Sequence, residues 1–280
     1  MAFSFSSCLK DSKNYVNVSQ SPALAELPLA AYTGVGVLTT EALPISTTPQ
    51  VIQIAVNVAV AKPLSTPTTF TLALDPGAVA TYNTANSTDY TLLPAADYSV
   101  SSWTVTVPAG QHLAYINVSV NSNLVDPAGQ FILPVKIVSA GGLTIDQYNE
   151  LLLNVIAKNQ YDDVYSINGY VLRNSSTGPD PVLSGNFSGY TQDLTTVNAT
   201  AVNWAPLWNG GSEAAGVAGT ILTVNPTTNA VTITSSGNAT LTNATGYNSH
   251  YDPANKVFYI SYTWGTAPNN RAETDTLTAQ

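Results

Sequence analysis

Large aromatic side chains beside amide groups are the residues of this sequence best suited to binding chemistry. Trp204 and Trp208 bracket a Pro-containing tripeptide and run into Asn209 and two glycines. A sugar ring can lie with its apolar face on an indole while its hydroxyls bond to amides or carboxylates. The same rings could instead close the end of a folded domain by packing. The pattern thus leaves two interpretations open, a carbohydrate platform and a buried plug.

A second aromatic group lies nearer the C-terminus. Tyr262 and Trp264 alternate with Ile260 on a predicted strand, and Tyr247 and Tyr251 lie in the preceding loop. If either group forms a site, the second half of the chain binds the ligand. The predicted ligand-binding residues are Trp204, Trp208, Asn209, Tyr247, Tyr251, Tyr262 and Trp264.

Two acidic pairs, Asp162-Asp163 and Glu273 with Asp275, are the candidates for glycosidic chemistry. Hydrolysis of a glycosidic bond needs two carboxyl groups a defined distance apart, one of them kept protonated. The first pair points to opposite faces of an extended chain, whereas the second shares one strand face. We interpret both pairs as solvated charges that protect strand edges.

Other catalytic, metal and cofactor signals are weak. The segment Gly210-Gly211-Ser212-Glu213-Ala214 departs from a nucleophile elbow in its last residue, and His112 and His250 fall in different predicted domains. No glycine spacing with a lysine forms a phosphate cradle. Two histidines without thiol pairs make a poor transition-metal site; no EF-hand spacing is present, and calcium held by carboxylates and carbonyls stays open as an alternative. We predict no enzyme activity, no cofactor and no metal.

Charge composition argues against nucleic acid as a partner. Only 9% of the residues are charged, and eight Lys and Arg against seventeen Asp and Glu give a formal net charge of −9. Scattered single cations offer no basic stripe for phosphates. The surface is instead expected to be neutral and rich in hydroxyls and amides.

The N-terminus predicts a lipid anchor. Small and apolar residues run into Cys8, the one cysteine, and Lys10 and Asp11 follow. This order is typical of a lipoprotein signal cut short at its start, so we expect an upstream start codon and acylation of Cys8. Phe5 departs from the usual Leu, and a buried thiol is the alternative. Residues 1–29 are predicted to be this truncated signal and a tether, with a membrane attachment through the lipid alone.

Alternating apolar residues predict a first domain at residues 30–158. A helical turn after Asp75 and Pro76 interrupts the strands. About seven strands favour an immunoglobulin-like β-sandwich. The clearest predicted strands are 51–60, 68–74, 103–107, 113–120, 131–138 and 151–156.

A second alternating system predicts another β domain at residues 161–280. Repeated hairpins without an intervening helix favour an antiparallel sandwich or a closed barrel, and we favour a small lipocalin-like barrel. The predicted strands are 164–172, 182–190, 220–224, 230–234, 239–243, 257–264 and 273–278.

Several short motifs occur in an order that resembles a known family. Tyr90-Thr91-Leu92-Leu93-Pro94, Val107-Pro108-Ala109-Gly110 and Phe131-Ile132-Leu133-Pro134-Val135 resemble a Bacteroidetes surface-lipoprotein domain of unknown function, also found at the N-terminus of chitinase-like endo-glycosidases. The stretch from Tyr161-Asp162-Asp163-Val164-Tyr165 onward resembles the calycin-like C-terminal domain that often follows it.

This resemblance implies glycan capture at the outer membrane, beside an importer of the starch-utilisation (Sus-like) type. The aspartate run of the catalytic barrel in the endo-glycosidases is missing here. We therefore expect a non-catalytic, cell-surface lipoprotein that binds a glycan. The alternatives are a structural or adhesive module with a protein partner and, third, a hydrolase that uses carboxylates in the barrel mouth.

Overall fold

The computed structural model describes residues 21–280, so Cys8 and the predicted anchor lie outside the described residues. Strands make up 51% and helices 7% of the described residues, which confirms the all-β, two-domain architecture. Within residues 21–280, no helix is long and apolar enough to cross a membrane.

The first half of the described chain forms a β-sandwich with two short helices. One sheet has the order β10-β1-β3-β8-β6, and the other has the order β2-β11-β9-β4-β7 with β5 beside β9. The elements are β1 (Leu24–Glu26), α1 (Pro28–Thr33), β2 (Leu38–Pro44), β3 (Gln50–Ala59), β4 (Thr68–Leu74), α2 (Pro76–Asn86), β5 (Thr91–Leu92), β6 (Tyr98–Val100), β7 (Thr104–Val107), β8 (Leu113–Val120), β9 (Phe131–Ala140), β10 (Thr144–Ile145) and β11 (Glu150–Lys158).

Strict alternation explains the central strands of the sandwich. In β3, Ile52, Ile54, Val56 and Val58 are buried, while the residues between them are more exposed. One apolar face per strand has to be covered by the opposite sheet, which is why two sheets stack. The predicted bounds of β4 and β8 are confirmed.

The predicted tether ends earlier than residue 29. Leu24–Glu26 pairs antiparallel with β3 and parallel with β10, and Leu27 donates from its backbone N–H to Tyr148 O at 2.8 Å. Ala25 and Leu27 are fully buried. A strand of three residues, Leu24-Ala25-Glu26, is too short to show a period, so the sequence does not reveal it.

The second half of the described chain forms an antiparallel barrel built of two curled sheets. One sheet has the order β13-β12-β22-β21-β19, with β14 beside β12 and β20 beside β21; the other has the order β15-β16-β17-β18. The strands are β12 (Asp163–Ser175), β13 (Gly178–Pro179), β14 (Gly185–Leu194), β15 (Thr196–Asn198), β16 (Ala201–Trp204), β17 (Thr220–Val224), β18 (Val231–Ser235), β19 (Thr242–Asn243), β20 (His250–Asp252), β21 (Val257–Trp264) and β22 (Arg271–Ala279).

Predicted and observed strands of the barrel agree where apolar alternation is strong. The bounds of β17 and β21 are as predicted, whereas β14 begins at Gly185 instead of residue 182. The short strands β15 and β16 were not predicted, because Asn and Thr interrupt the apolar pattern there. Two earlier segments, Ala42–Gln50 and Asn121–Gln130, group with this second compact unit.

Candidate functional site

A polar groove lies in the barrel unit where β14, β16 and the loop after β16 meet. Its cavity has a volume of about 440 Å³. A neighbouring cavity of about 330 Å³ shares Trp204, Ala205 and Glu213 with it. We call the first cavity the Trp204 groove; its lining is Tyr190, Thr191, Gln192, Asp193, Asn203, Trp204, Ala205, Leu207, Gly211 and Glu213.

Hydrogen bonds join β14 and the residue after it to β16 and the residue after it. Gln192 Nε2 donates to Ala205 O at 2.8 Å. The Asn203 backbone N–H donates to Thr195 O at 2.8 Å, and Asn203 Nδ2 donates to Thr195 Oγ1 at 3.1 Å. The polar residues of the two strands therefore have fixed relative positions before any ligand arrives.

Gly211 allows the loop to close against the Tyr190 ring. Gly211 has a φ of +79°, a left-handed conformation that favours glycine. A Cβ at this position would overlap the ring, at 2.8 Å from Tyr190 Cδ1 and closer still to two other ring atoms. The Gly-rich stretch that departs from a nucleophile elbow thus has a defined packing role.

The groove lining carries acceptors and amides but no cation. Asp193, Asn203 and Glu213 are exposed, and Tyr190 and Gln192 are half-buried. Carboxylates and amide groups match the hydroxyls of a polyol, whereas two carboxylates without a Lys or Arg in the lining repel an anion. The groove is chemically suited to a neutral, hydroxyl-rich ligand.

A chain of buried hydrogen bonds joins Trp204 to the barrel interior. Trp204 Nε1 donates to Tyr262 Oη at 3.2 Å, and Tyr262 Oη donates to Asp275 Oδ2 at 3.1 Å. Tyr262 is fully buried and Asp275 is 1% exposed. This chain fixes the indole that separates the two cavities.

A second buried carboxyl holds the loop that follows β16. The Leu207 backbone N–H donates to Glu273 Oε1 at 3.1 Å, and Glu273 is 1% exposed. Glu273 Oε2 and Asp275 Oδ1 are buried without a hydrogen-bond partner among the described residues. Both groups lie on the face of β22 that also buries Leu277.

Burial raises the pKa of both carboxyl groups. The pKa of Asp275 rises from 3.8 to about 8, chiefly because burial disfavours the charged form. The pKa of Glu273 is raised well above its usual 4.5 by burial and by the nearby Asp275 charge. At neutral pH, Asp275 is therefore mostly protonated.

The interpretation of Glu273 and Asp275 as solvated edge charges is wrong. Both belong to the barrel interior, since β22 pairs with β12 on one side and β21 on the other and is not an edge strand. Glu273 and Asp275 alternate with the same spacing as Leu277 and so lie on its face of the strand, which was the sequence signal for burial. The other predicted pair differs: Asp162 accepts from Lys158, 2.7 Å away, and from the Thr196 backbone N–H at 2.7 Å.

Most of the predicted ring platform packs in the interior. Trp208 and Trp264 have ring centroids 6.0 Å apart, and Tyr262 stacks on Trp264 at 5.8 Å. The buried members of the predicted set are Trp204, Trp208, Tyr251, Tyr262 and Trp264, none more than 6% exposed. These rings are packed in the core, which was the alternative to a carbohydrate platform in the sequence-based interpretation.

Tyr251 has its own ring contacts, and Asn209 and Tyr247 are the two predicted residues that are not buried. Tyr251 packs edge-on against Tyr161, with centroids 4.9 Å apart. Asn209 Nδ2 donates to Ser184 O at 2.9 Å, and Tyr247 is 40% exposed. Of the seven predicted residues, Trp204 is the one that lines the two cavities described above. A ligand contact by Tyr247 stays a prediction.

Sequence reasoning missed the groove's polar residues. Tyr190, Gln192 and Asp193 come from β14, Asn203 from β16 and Glu213 from the following loop. No spacing within one element links them, because the pairing of distant segments brings them together. The strand β14 pairs with β12 and the strand β16 pairs with β15 and β17, so no local signal in the sequence joins these residues.

Family models match both halves of the chain. One, described as an N-terminal domain, matches residues 13–144. Another, described as a C-terminal domain, matches residues 149–278. The two halves match two separate domain families. No curated protein matches the chain.

Solved structures from Bacteroides share the fold of the whole chain at low sequence identity. A Bacteroides ovatus protein of unknown function has a TM-score of 0.59 at 16% identity, covering 92% of this chain and 94% of its own. A B. ovatus multidomain protein including DUF1735 has a TM-score of 0.58 at 15% identity, with 92% and 94% covered. An auxiliary nutrient binding protein from B. thetaiotaomicron has a TM-score of 0.52 at 13% identity, with 95% and 94% covered.

Proposed function

We propose that this protein binds a neutral glycan in the Trp204 groove without transforming it. The observation that carries the proposal is the lining of the groove, in which exposed carboxylate and amide groups surround a fixed indole and no cation is present. Sugar hydroxyls can donate to Asp193 and Glu213 and accept from the Asn203 amide. The structure described as an auxiliary nutrient binding protein has the same fold, which agrees with a binding role.

Burial of the carboxyl pair supports a non-catalytic role. A hydrolase that used Glu273 and Asp275 would have to admit its substrate to a barrel interior where both groups are 1% exposed. We expect a bound polysaccharide to keep its length during prolonged incubation. Release of new reducing ends that stops in an Asp275→Asn variant would contradict this part of the proposal.

The proposal also includes a lipid anchor on Cys8, an outer-membrane location facing outward and association with a Sus-like importer. The order of residues around Cys8 and the family resemblance support it. Mass spectrometry of the full-length protein extracted from membranes should find an acylated Cys8. An unmodified Cys8 in that product would overturn the anchor.

Affinity electrophoresis in gels containing soluble neutral polysaccharides tests the glycan proposal. Trp204 is 5% exposed, so its truncation would open a core cavity and confuse binding with folding. The exposed rim gives a cleaner test: a groove variant carries Asp193→Ala, Asn203→Ala and Glu213→Ala. Asn248→Ala is the matched control, since Asn248 is exposed and outside the groove lining.

We expect at least one polysaccharide to retard the wild type and the Asn248→Ala control but not the groove variant. Equal retardation of all three would contradict a site in the groove. Co-purification with an importer subunit in the absence of sugar, with no retardation by any polysaccharide, would favour a structural or adhesive module instead.

A further inference from the structure

We propose that the sandwich unit holds a second binding site, a cleft beside α2 that takes a neutral sugar ring or a similar polyol. The cleft is separate from the Trp204 groove, and the proposal goes beyond the function assigned to that groove. Its volume is about 570 Å³, within the range of small-molecule sites.

One face of α2 forms a wall of this cleft. Gly77, Thr81 and Ala85 repeat every fourth residue, so they lie in a row on the helix. Ala78 and Tyr82 lie beside that row and also line the cleft. Small side chains along the row leave the space that a ligand would fill.

The position of α2 is fixed by the cap at its N-terminus and by packing of its buried residues. Asp75 accepts from the Gly77 backbone N–H at 3.2 Å at the helix N-terminus, where Pro76 suits the first helical position. Ala78 and Val79 of α2 pack with Ile132 and Leu152 in one buried cluster. The cleft is therefore preformed.

Three charged groups lie along the cleft. Lys136 Nζ lies 2.9 Å from Asp75 Oδ2 and 3.5 Å from Glu150 Oε1. The side chains of Lys136, Asp75 and Glu150 are 41%, 31% and 24% exposed. The group is thus open to a ligand while its members hold one another in place.

Glu150 offers an unused acceptor. Glu150 Oε1 is buried and makes no hydrogen bond with the described residues, because Lys136 approaches it only at ion-pair distance. Burial raises the pKa of Glu150, whereas the hydrogen bond from Lys136 lowers the pKa of Asp75. Oε1 is enclosed and keeps its ion pair with Lys136, so a ligand hydroxyl would donate to the part of the Glu150 carboxyl group that faces the cleft.

The charge pattern selects a neutral ligand. An anion would meet two carboxyl groups whose shared cation is already engaged, and a cation would compete with Lys136. Hydroxyls can instead accept from the Lys136 ammonium, which has three N–H donors, and donate to Glu150. Val35, Ala85 and Leu152 supply apolar surface for the C–H face of a sugar ring.

Saturation-transfer NMR on the full chain carrying the three groove substitutions tests the cleft alone. The probes are mannose, galactose, glucose, xylose and N-acetylglucosamine, with glucuronate and protonated glucosamine as charged counterparts. Ala85→Trp fills the cleft from an exposed helix position, and Thr84→Trp places the same ring on an exposed neighbour outside the lining.

We expect at least one neutral probe to bind the groove-deficient protein and the Thr84→Trp variant, with at least tenfold weaker binding in Ala85→Trp. Lys136→Met should weaken the same probe by a similar factor. The proposal is overturned if no neutral probe binds, if Ala85→Trp binds as tightly as Thr84→Trp, or if a charged probe binds best. An Ala85→Trp variant with an unmutated groove that polysaccharide still retards would leave the groove proposal standing even if the cleft proposal failed.

Discussion

Tyr262 Oη donates a hydrogen bond to Asp275 Oδ2 at 3.1 Å inside the barrel, and Trp204 Nε1 donates to the same Tyr262 oxygen. The indole beside the proposed glycan groove is therefore joined to a buried carboxyl through one hydroxyl. A parallel link joins Leu207, which lines the same groove, to Glu273. Two residues that line the groove are thus hydrogen-bonded to the interior carboxyl pair, Leu207 directly and Trp204 through Tyr262.

The stability of the barrel unit should fall as pH rises above 5. The pKa of Asp275 is about 8 in the folded protein and near 4 when unfolded, so the folded state binds more protons between these values. The contribution is complete below about pH 4 and is lost up to about pH 8, with a slope of about 1.4 kcal/mol per pH unit for one proton. Urea unfolding followed by tryptophan fluorescence from pH 5 to 9 measures it; a stability that stays level or rises would contradict the buried, protonated pair.

Replacing Asp275 by Asn should reduce that pH dependence. The amide keeps the shape of the carboxyl but cannot ionise, so the variant should lose the slope of about one proton and be more stable than the wild type at pH 9. The same urea titration at pH 6 and pH 9 compares the two proteins. An unchanged slope in the variant would assign the titration to another group.

A methyl group at Gly169 should destabilise the barrel. A Cβ there would lie 2.6 Å from Phe187 Cζ and 2.9 Å from Thr274 O, and closer still to Asp275 Oδ1. Overpacking of this kind costs about 1–3 kcal/mol of unfolding free energy. Gly210→Ala is the control, because a Cβ at Gly210 meets nothing within 4 Å. Equal stability of the two variants in urea would show that the interior adapts.

Removing the Tyr262 hydroxyl should leave two buried polar groups without their partner. Tyr262→Phe deprives Trp204 Nε1 of its acceptor and Asp275 Oδ2 of its donor, at a cost of about 1–3 kcal/mol. Tyr259→Phe serves as the control, since Tyr259 is half-buried and stacks on His250. Thermal melts of both variants should separate them; a Tyr262→Phe midpoint equal to that of Tyr259→Phe would argue against the network.

The sequence predicts the strands of this protein well where apolar alternation is long. β3 and β8 each bury alternate apolar residues, so the two-residue period of the sequence directly identifies the buried face of each strand. Strands of two to four residues such as β1 and β16 carry too few positions to show a period. Pairing with distant partners decides their conformation.

The site was harder to predict, because residue type alone does not separate binding from packing. Trp208 and Trp264 were suited to a sugar platform but pack together in the core. Glu273 and Asp275 were read from their charge as surface groups, although their strand parity placed them with Leu277 inside. The groove itself depends on β14 and β16 meeting, which no local pattern encodes.

The dissociation constant of the best polysaccharide for the groove variant, relative to wild type, tests the central claim most directly. Isothermal titration calorimetry should give binding at least tenfold weaker for the Asp193→Ala, Asn203→Ala, Glu213→Ala protein, with Asn248→Ala unchanged. Equal dissociation constants for the groove variant and the wild type would contradict a glycan site in the Trp204 groove.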